Sequence, residues 1–153
     1  MEAWRSTFRD GVAPQLSTPG LKALAKALKE DDERLLQGAT TSPPPLACVQ
    51  DWPVEAACPI AFAHWQGDGT EFVGPTEEMF AKTCFETDQL LGEPAAVRFF
   101  LNWADNTPRE EMRSELLAEV TRILTIRRIG EDAQTEAEPN LTRGTKQKER
   151  TRG

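Results

Sequence analysis

Along this chain a capping or small residue is repeatedly followed by proline and then by a periodic apolar stretch. It happens at Thr18-Pro19, at Trp52-Pro53 just after Asp51, at Gly74-Pro75, at Glu93-Pro94 and at Thr107-Pro108. Proline brings no N–H to a helix and its φ is already helical, so the first turn is where it fits without loss. The device therefore marks helix starts, and its recurrence predicts an all-α fold. At the last start, Thr107 and Glu110 have the spacing of a capping box. Nothing competes as a strand, because polar and apolar residues do not alternate for long and β-branched residues are thin.

The apolar positions agree with these starts. Leu21, Leu24, Ala25 and Leu28 share one face after Pro19, opposite Lys22, Lys26 and Lys29, and EDDE at 30 to 33 closes that helix. A short turn holding Leu35 and Leu36 follows, with Gly38 as its cap, and ATTSPPP reads as an extended connector. Trp4 and Phe8 stand four residues apart, which predicts a short N-terminal helix pressed on the core. From Pro53 to Trp65 the chain is apolar almost all round, the pattern of a central helix, and Pro59 within it predicts a kink. From Pro75 to Leu91 the inward face is expected to be Met79, Phe80, Thr83, Cys84, Thr87, Leu90 and Leu91, with Gly92 as the stop. Pro94 to Asp105 is dense in large apolar groups, with Arg98, Asn102 and Asp105 as one narrow polar stripe. The last helix runs from Pro108 towards Arg128 with Met112, Leu116, Val120, Ile123 and Leu124 inward.

The expectation is thus a single compact domain of about five to six helices over residues 1 to 129. Beyond Ile129 one leucine is the only large apolar residue, so 130 to 153 is expected to be a disordered charged tail, acidic first and basic at its end. The chain as a whole has 25 acidic against 18 basic side chains and a formal net charge of -7. Phosphate binding draws on clustered Lys and Arg, so nucleic acid is not expected as a partner except through the basic end of the tail. No apolar run is long enough to span a bilayer and no apolar leader opens the chain, so no membrane partner and a cytoplasmic location are expected. Three cysteines with no close pair fit reduced thiols better than a disulfide framework.

Residues 48 to 65 concentrate the side chains that do chemistry. Cys48, Cys58, His64 and, further on, Cys84 supply the right types for zinc, but the knuckle spacing is missing. On one helix, residues six apart also differ by about 120° in direction, which separates Cys58 from His64. Cys58 and Cys84 read as small buried hydrophobes. His64 could act as a general base, yet no nucleophile motif accompanies it, and its place near a helix end suits a capping or surface group. The acids at 71 to 93 and 105 to 111 mostly fall at helix N-termini, where they complement the dipole.

No catalytic residue, metal site or cofactor is therefore assigned. The expected function is a non-enzymatic helical module that binds another protein or itself, with Trp52, His64, Trp65, Phe85, Arg98, Asn102 and Asp105 as candidate binding residues. Phe85 earns its place because it projects away from the apolar face of its helix, and the aromatic excess extends to Trp103. The alternative is an enzyme or metal-dependent protein using His64 with nearby Cys, Asp or Glu side chains.

Overall fold

A computed structural model describes residues 3–44 and 49–143, with side chains through Glu131. Six α-helices dominate: α1 (Ala3–Thr7), α2 (Thr18–Glu30), α3 (Pro59–Gly67), α4 (Val73–Leu91), α5 (Arg98–Asn106) and α6 (Arg109–Arg143). α1 continues into a π-helical turn, Phe8–Val12, and a 3-10 turn, Ala13–Gln15. Two short strands, β1 (Thr41–Ser42) and β2 (Ala56–Ala57), pair antiparallel with Thr41 opposite Ala57. The chain divides into a compact unit, Met1–Thr121, and a second unit, Arg122–Gly153. The all-α expectation holds, with this one small β pairing added.

Two of the proline-marked starts are where the local chemistry puts them. α2 begins at Thr18, with the Ser17 hydroxyl accepting the Gly20 N–H at 3.0 Å and Pro19 in the first turn. α6 begins just after Pro108, whose carbonyl accepts the Met112 N–H at 2.9 Å. α4 opens slightly earlier than expected, at Val73, with Pro75 in its first turn. The other two differ. Residues 53 to 57 are extended or bridged, and the helix starts at Pro59 with Cys58 as its N-cap, so the kink expected at Pro59 does not exist. The reason is steric: a residue before proline is disfavoured in the α region, so Cys58 is extended (φ −68°, ψ 169°) and Pro59 begins the helix instead of bending it. After Pro94 the chain makes a turn, and α5 waits until Arg98.

The core of the compact unit combines packed aromatic rings with aliphatic side chains. Trp4 stacks on Trp103 with ring centroids 3.6 Å apart, and Phe8 meets Phe100 at 5.0 Å, so the N-terminal segment is pressed on α5 as the Trp4/Phe8 spacing predicts. Leu21, Leu24 and Leu28 of α2 are buried, as are Ile60, Ala61 and Phe62 of α3. These two helices approach so closely that a Cβ on Gly67 would fall onto the Gly20 backbone. Met112, Leu116 and Val120 line the buried face of α6, while Ile123 and Leu124 are half-buried. The same helix caps α2 from outside: Arg113 donates to the Leu28 and Lys29 carbonyls, and Arg109 to those of Asp32 and Leu35. Buried Glu119 receives Arg9 at 2.7 Å, and Arg5 pairs with Glu115, which ties the N-terminal segment to α6.

α6 continues beyond Arg128 to Arg143. The expectation for the basic end of the tail, residues 144 to 153, lies outside the described residues, as does Cys48. Among the described residues no helix is long and apolar enough to cross a membrane.

Candidate functional site

His64 is not a surface or capping group. It is 1% exposed, on the last turns of α3. Its Nδ1 lies 2.9 Å from Asp68 Oδ2 and its Nε2 2.8 Å from Thr83 Oγ1 on α4. An ionised carboxylate only accepts, so Nδ1 carries the proton and, in the neutral ring, Nε2 accepts from the Thr83 hydroxyl. Asp68 Oδ1 in turn accepts from the Ser17 hydroxyl at 2.6 Å, which also caps α2. The seam extends on the other side. Gln15 Nε2 donates to the carbonyls of Gly11 and Thr83 and to Thr87 Oγ1, and the Thr87 hydroxyl donates to the Thr83 carbonyl at 2.7 Å.

Hydroxyl, imidazole and carboxylate in that order form the relay that activates a nucleophile elsewhere. Here Thr83 is 2% exposed and enclosed between helices, so the packing shown gives a substrate no approach to its oxygen. The thiols are equally quiet. Burial pushes the Cys58 thiol up to about 12 and the Cys84 thiol to about 11, which holds both protonated at neutral pH. Among the described residues no group of His, Cys, Asp and Glu is arranged to hold a metal ion.

The polar seam has a consequence for α4. Its buried residues include Thr76, Thr83 and Thr87, and Gly11 of the π-helical turn lies against the Thr87 methyl and Leu91. Small side chains allow that approach, and His64 and Gln15 satisfy two of the hydroxyls. Of the apolar groups expected inside, Met79, Phe80, Cys84 and Leu91 are half-buried and Leu90 is displaced outward, at 57% exposed; Phe85, expected off that face, is 63% exposed. Leu90 was expected on the inward face, so this corrects it.

Next to these residues the chain makes an unusual turn. α4 ends with Gly92 left-handed at φ 67°, and the Glu93 N–H returns to the Asp88 carbonyl at 3.2 Å. The Asp88 carboxylate then reaches forward, accepting the Ala95 N–H at 3.0 Å and the Val97 N–H at 2.9 Å. Ala95 stands at φ 60°, a left-handed conformation that costs a residue with a Cβ about 1–2 kcal/mol. The two charge-assisted bonds from Asp88 hold it there. Arg98 opens α5 directly after this turn, and Phe99 is 48% exposed, so the outward side of α5 is broader than the narrow polar stripe expected.

Two surface grooves meet at this turn. One is lined by Ser6, Thr7 and Asp10 on the N-terminal side and by Leu91, Ala96 and Phe99 on the other. The second is lined by Phe85, Asp88 and Gln89 of α4 and by Pro94 and Ala95. Glu93 lines both.

The candidate residues read from the sequence divide accordingly. Phe85 is in this surface, and Arg98 is exposed beside it in sequence. Asn102 is exposed, and its carbonyl accepts from Asn106. Asp105 is engaged by the Gly38 N–H at 3.0 Å. Trp65 packs edge-on against Phe62 under the Arg34 guanidinium, 5.4 Å from its ring, and His64 belongs to the interior seam. Trp52 is 54% exposed near Phe72, across the Pro53–Phe72 bridge, and lines neither groove. Glu93, Leu90 and Phe99 were missed; the only local signal for them was the apolar density flanking Gly92-Glu93-Pro94.

No family model, no curated protein and no solved structure matches this chain.

Proposed function

We propose that the chain is a non-enzymatic helical module that binds another protein through the surface formed by the end of α4, the 92–97 turn and the start of α5. The observation that carries this reading is that Phe85 and Phe99 are both exposed and each lines one of the two grooves that share Glu93, while α4 turns Thr83 and Thr87 inward. Exposed single apolar residues are ordinary, but large ones gathered along grooves next to a strained, clamped turn mark an interface. Self-association through the same surface is the variant of this reading in which the partner is a second copy. The free thiols of Cys58 and Cys84 support a reducing, cytoplasmic setting.

The competing reading is an enzyme built on the Thr83–His64–Asp68 order, which is favoured only by that connectivity. One comparison separates them. Full-length protein purified from its own host is expected to retain a stoichiometric partner that the Phe85→Ser/Phe99→Ser variant loses, with folding unchanged by circular dichroism. If the folded variant retains the same partners as the parent, the binding surface is elsewhere and this reading fails.

A further inference from the structure

We infer that the occupant of this surface is a short segment of a partner protein carrying a Lys or Arg flanked by large apolar side chains. The inference rests on the binding reading above and adds the chemistry of the ligand. The grooves on either side of the turn have apolar walls, Leu91 and Phe99 on one, Phe85 and Pro94 on the other. Their charged lining is Asp10, Asp88 and Glu93, and no Lys or Arg lines either groove. Asp88 keeps its charge while it accepts the two backbone N–H groups, so the grooves carry three carboxylates, of which Asp10 and Glu93 are open to a ligand; Arg98, exposed at the start of α5, lines neither groove.

Glu93 is exposed and stands where the grooves meet. A basic side chain crossing the turn can lay its aliphatic stem along Phe99 or Phe85 and bring its charge to Glu93. Apolar neighbours on the same segment then fill the grooves to either side. An acidic segment would meet like charge at that point. A second copy of this chain, at a formal net charge of -7, is disfavoured for the same reason. The turn is held by Asp88 before anything binds, so little ordering is left to oppose association.

The test uses the full chain against a displayed library of random peptides roughly a dozen residues long, a length that spans a groove-binding segment. Enriched peptides are then titrated against the parent, Glu93→Arg and Phe85→Ser/Phe99→Ser. Expected is enrichment of Lys or Arg beside Leu, Ile, Phe or Trp. Affinity should fall about tenfold or more with Glu93→Arg, and also as salt rises from about 0.05 M to about 0.5 M. Peptides that lack a basic residue, or bind Glu93→Arg equally well, overturn the inference. If those peptides still need Phe85 and Phe99, the binding reading survives it. Peptides indifferent to the phenylalanines overturn both, and a library with no enrichment overturns the inference. A concentration-dependent dimer lost in the phenylalanine variant assigns the surface to a second copy and also overturns it. Should the double variant not fold, the single variants Phe85→Ser and Phe99→Ser, each at an exposed position lining one groove, take its place.

Discussion

Asp68 and Asp88 are two aspartates doing similar work at helix ends, one turned inward and one outward. Asp68 follows α3 and holds His64 on one oxygen and Ser17 on the other, so its bonds join α3 to the start of α2 and, through the imidazole, to α4. Asp88 lies near the end of α4 and holds only backbone N–H groups of the turn that follows, at Ala95 and Val97. The first organises three helices into a polar seam. The second organises one turn and, with it, the position of exposed side chains. What distinguishes a structural carboxylate from one that shapes a surface is therefore where its partners lead, since the residue type and the bond lengths are nearly the same.

The contrast can be broken first with pH. Cys58 stands buried at the N-cap position of α3, and burial pushes its thiol up from the ordinary 9.0 to about 12. In that interval the unfolded chain has lost the proton and the folded chain has kept it, so stability falls as pH rises. The contribution is absent below about pH 9, grows by roughly 1.4 kcal/mol per unit, and levels off near pH 12. Thermal melts of the parent and Cys58→Ala across that window should converge as the parent weakens. Parallel curves would show that the thiol is accessible to solvent and that this part of the interior is open.

A smaller effect is expected from Asp68→Ala, which leaves buried His64 without its Nδ1 partner. The expected cost is about 2 kcal/mol of global stability, read as a shift of the whole denaturation curve with protection lost on α2, α3 and α4 together. Asp88→Ala should cost about 1 kcal/mol and register locally, as faster amide exchange at Ala95 and Val97 with the helices unchanged. If both variants lower stability globally and equally, the two aspartates do the same job and the distinction is lost. The smallest change is Ala95→Gly. It relieves the left-handed strain but gives the unfolded chain more freedom, so a net gain of about 0.5 kcal/mol is expected from melts. A loss instead would mean that the Ala95 methyl has contacts that matter more than its φ.

Some of this organisation was readable from the chain and some was not. Pro19 and Pro108 announce helices correctly because capping is settled within a few residues. Trp4 and Phe8 predict their own burial for the same local reason. Pro59 misleads because it admits two solutions, a kinked helix or a new start, and the extended residues before it pair with Thr41–Ser42, a contact remote in sequence. The outward side of α4 was legible at Phe85 and not at Leu90. Helical spacing put Thr83 and Thr87 on the inward face together with Leu90; the two threonines stay there because His64 and Gln15 meet their hydroxyls, whereas Leu90 turns to solvent. The role of His64 likewise depends on Asp68, which the spacing allowed, and on its meeting with Thr83, a contact between two helices that no local pattern indicates. Glu93 was legible only as the residue before Pro94, since its place at the surface comes from two grooves meeting across a turn.

The π-helical turn at Phe8–Val12 has a bearing on what length changes the chain tolerates. Its closing bond runs from the Ala13 N–H to the Phe8 carbonyl, one residue wider than an α-turn. The segment therefore holds a supernumerary residue absorbed within one wide turn, and deleting one position there would restore α-helical winding with the residues upstream nearly in phase. Trp4 would still face Trp103, and Arg5 and Arg9 would still address Glu115 and Glu119. A deletion within the α-helical turn Ala3–Thr7 has no such slack and would swing the residues before it by about 100°, so the wide turn is the one place in the N-terminal segment where the chain can lose a residue and keep its bearings.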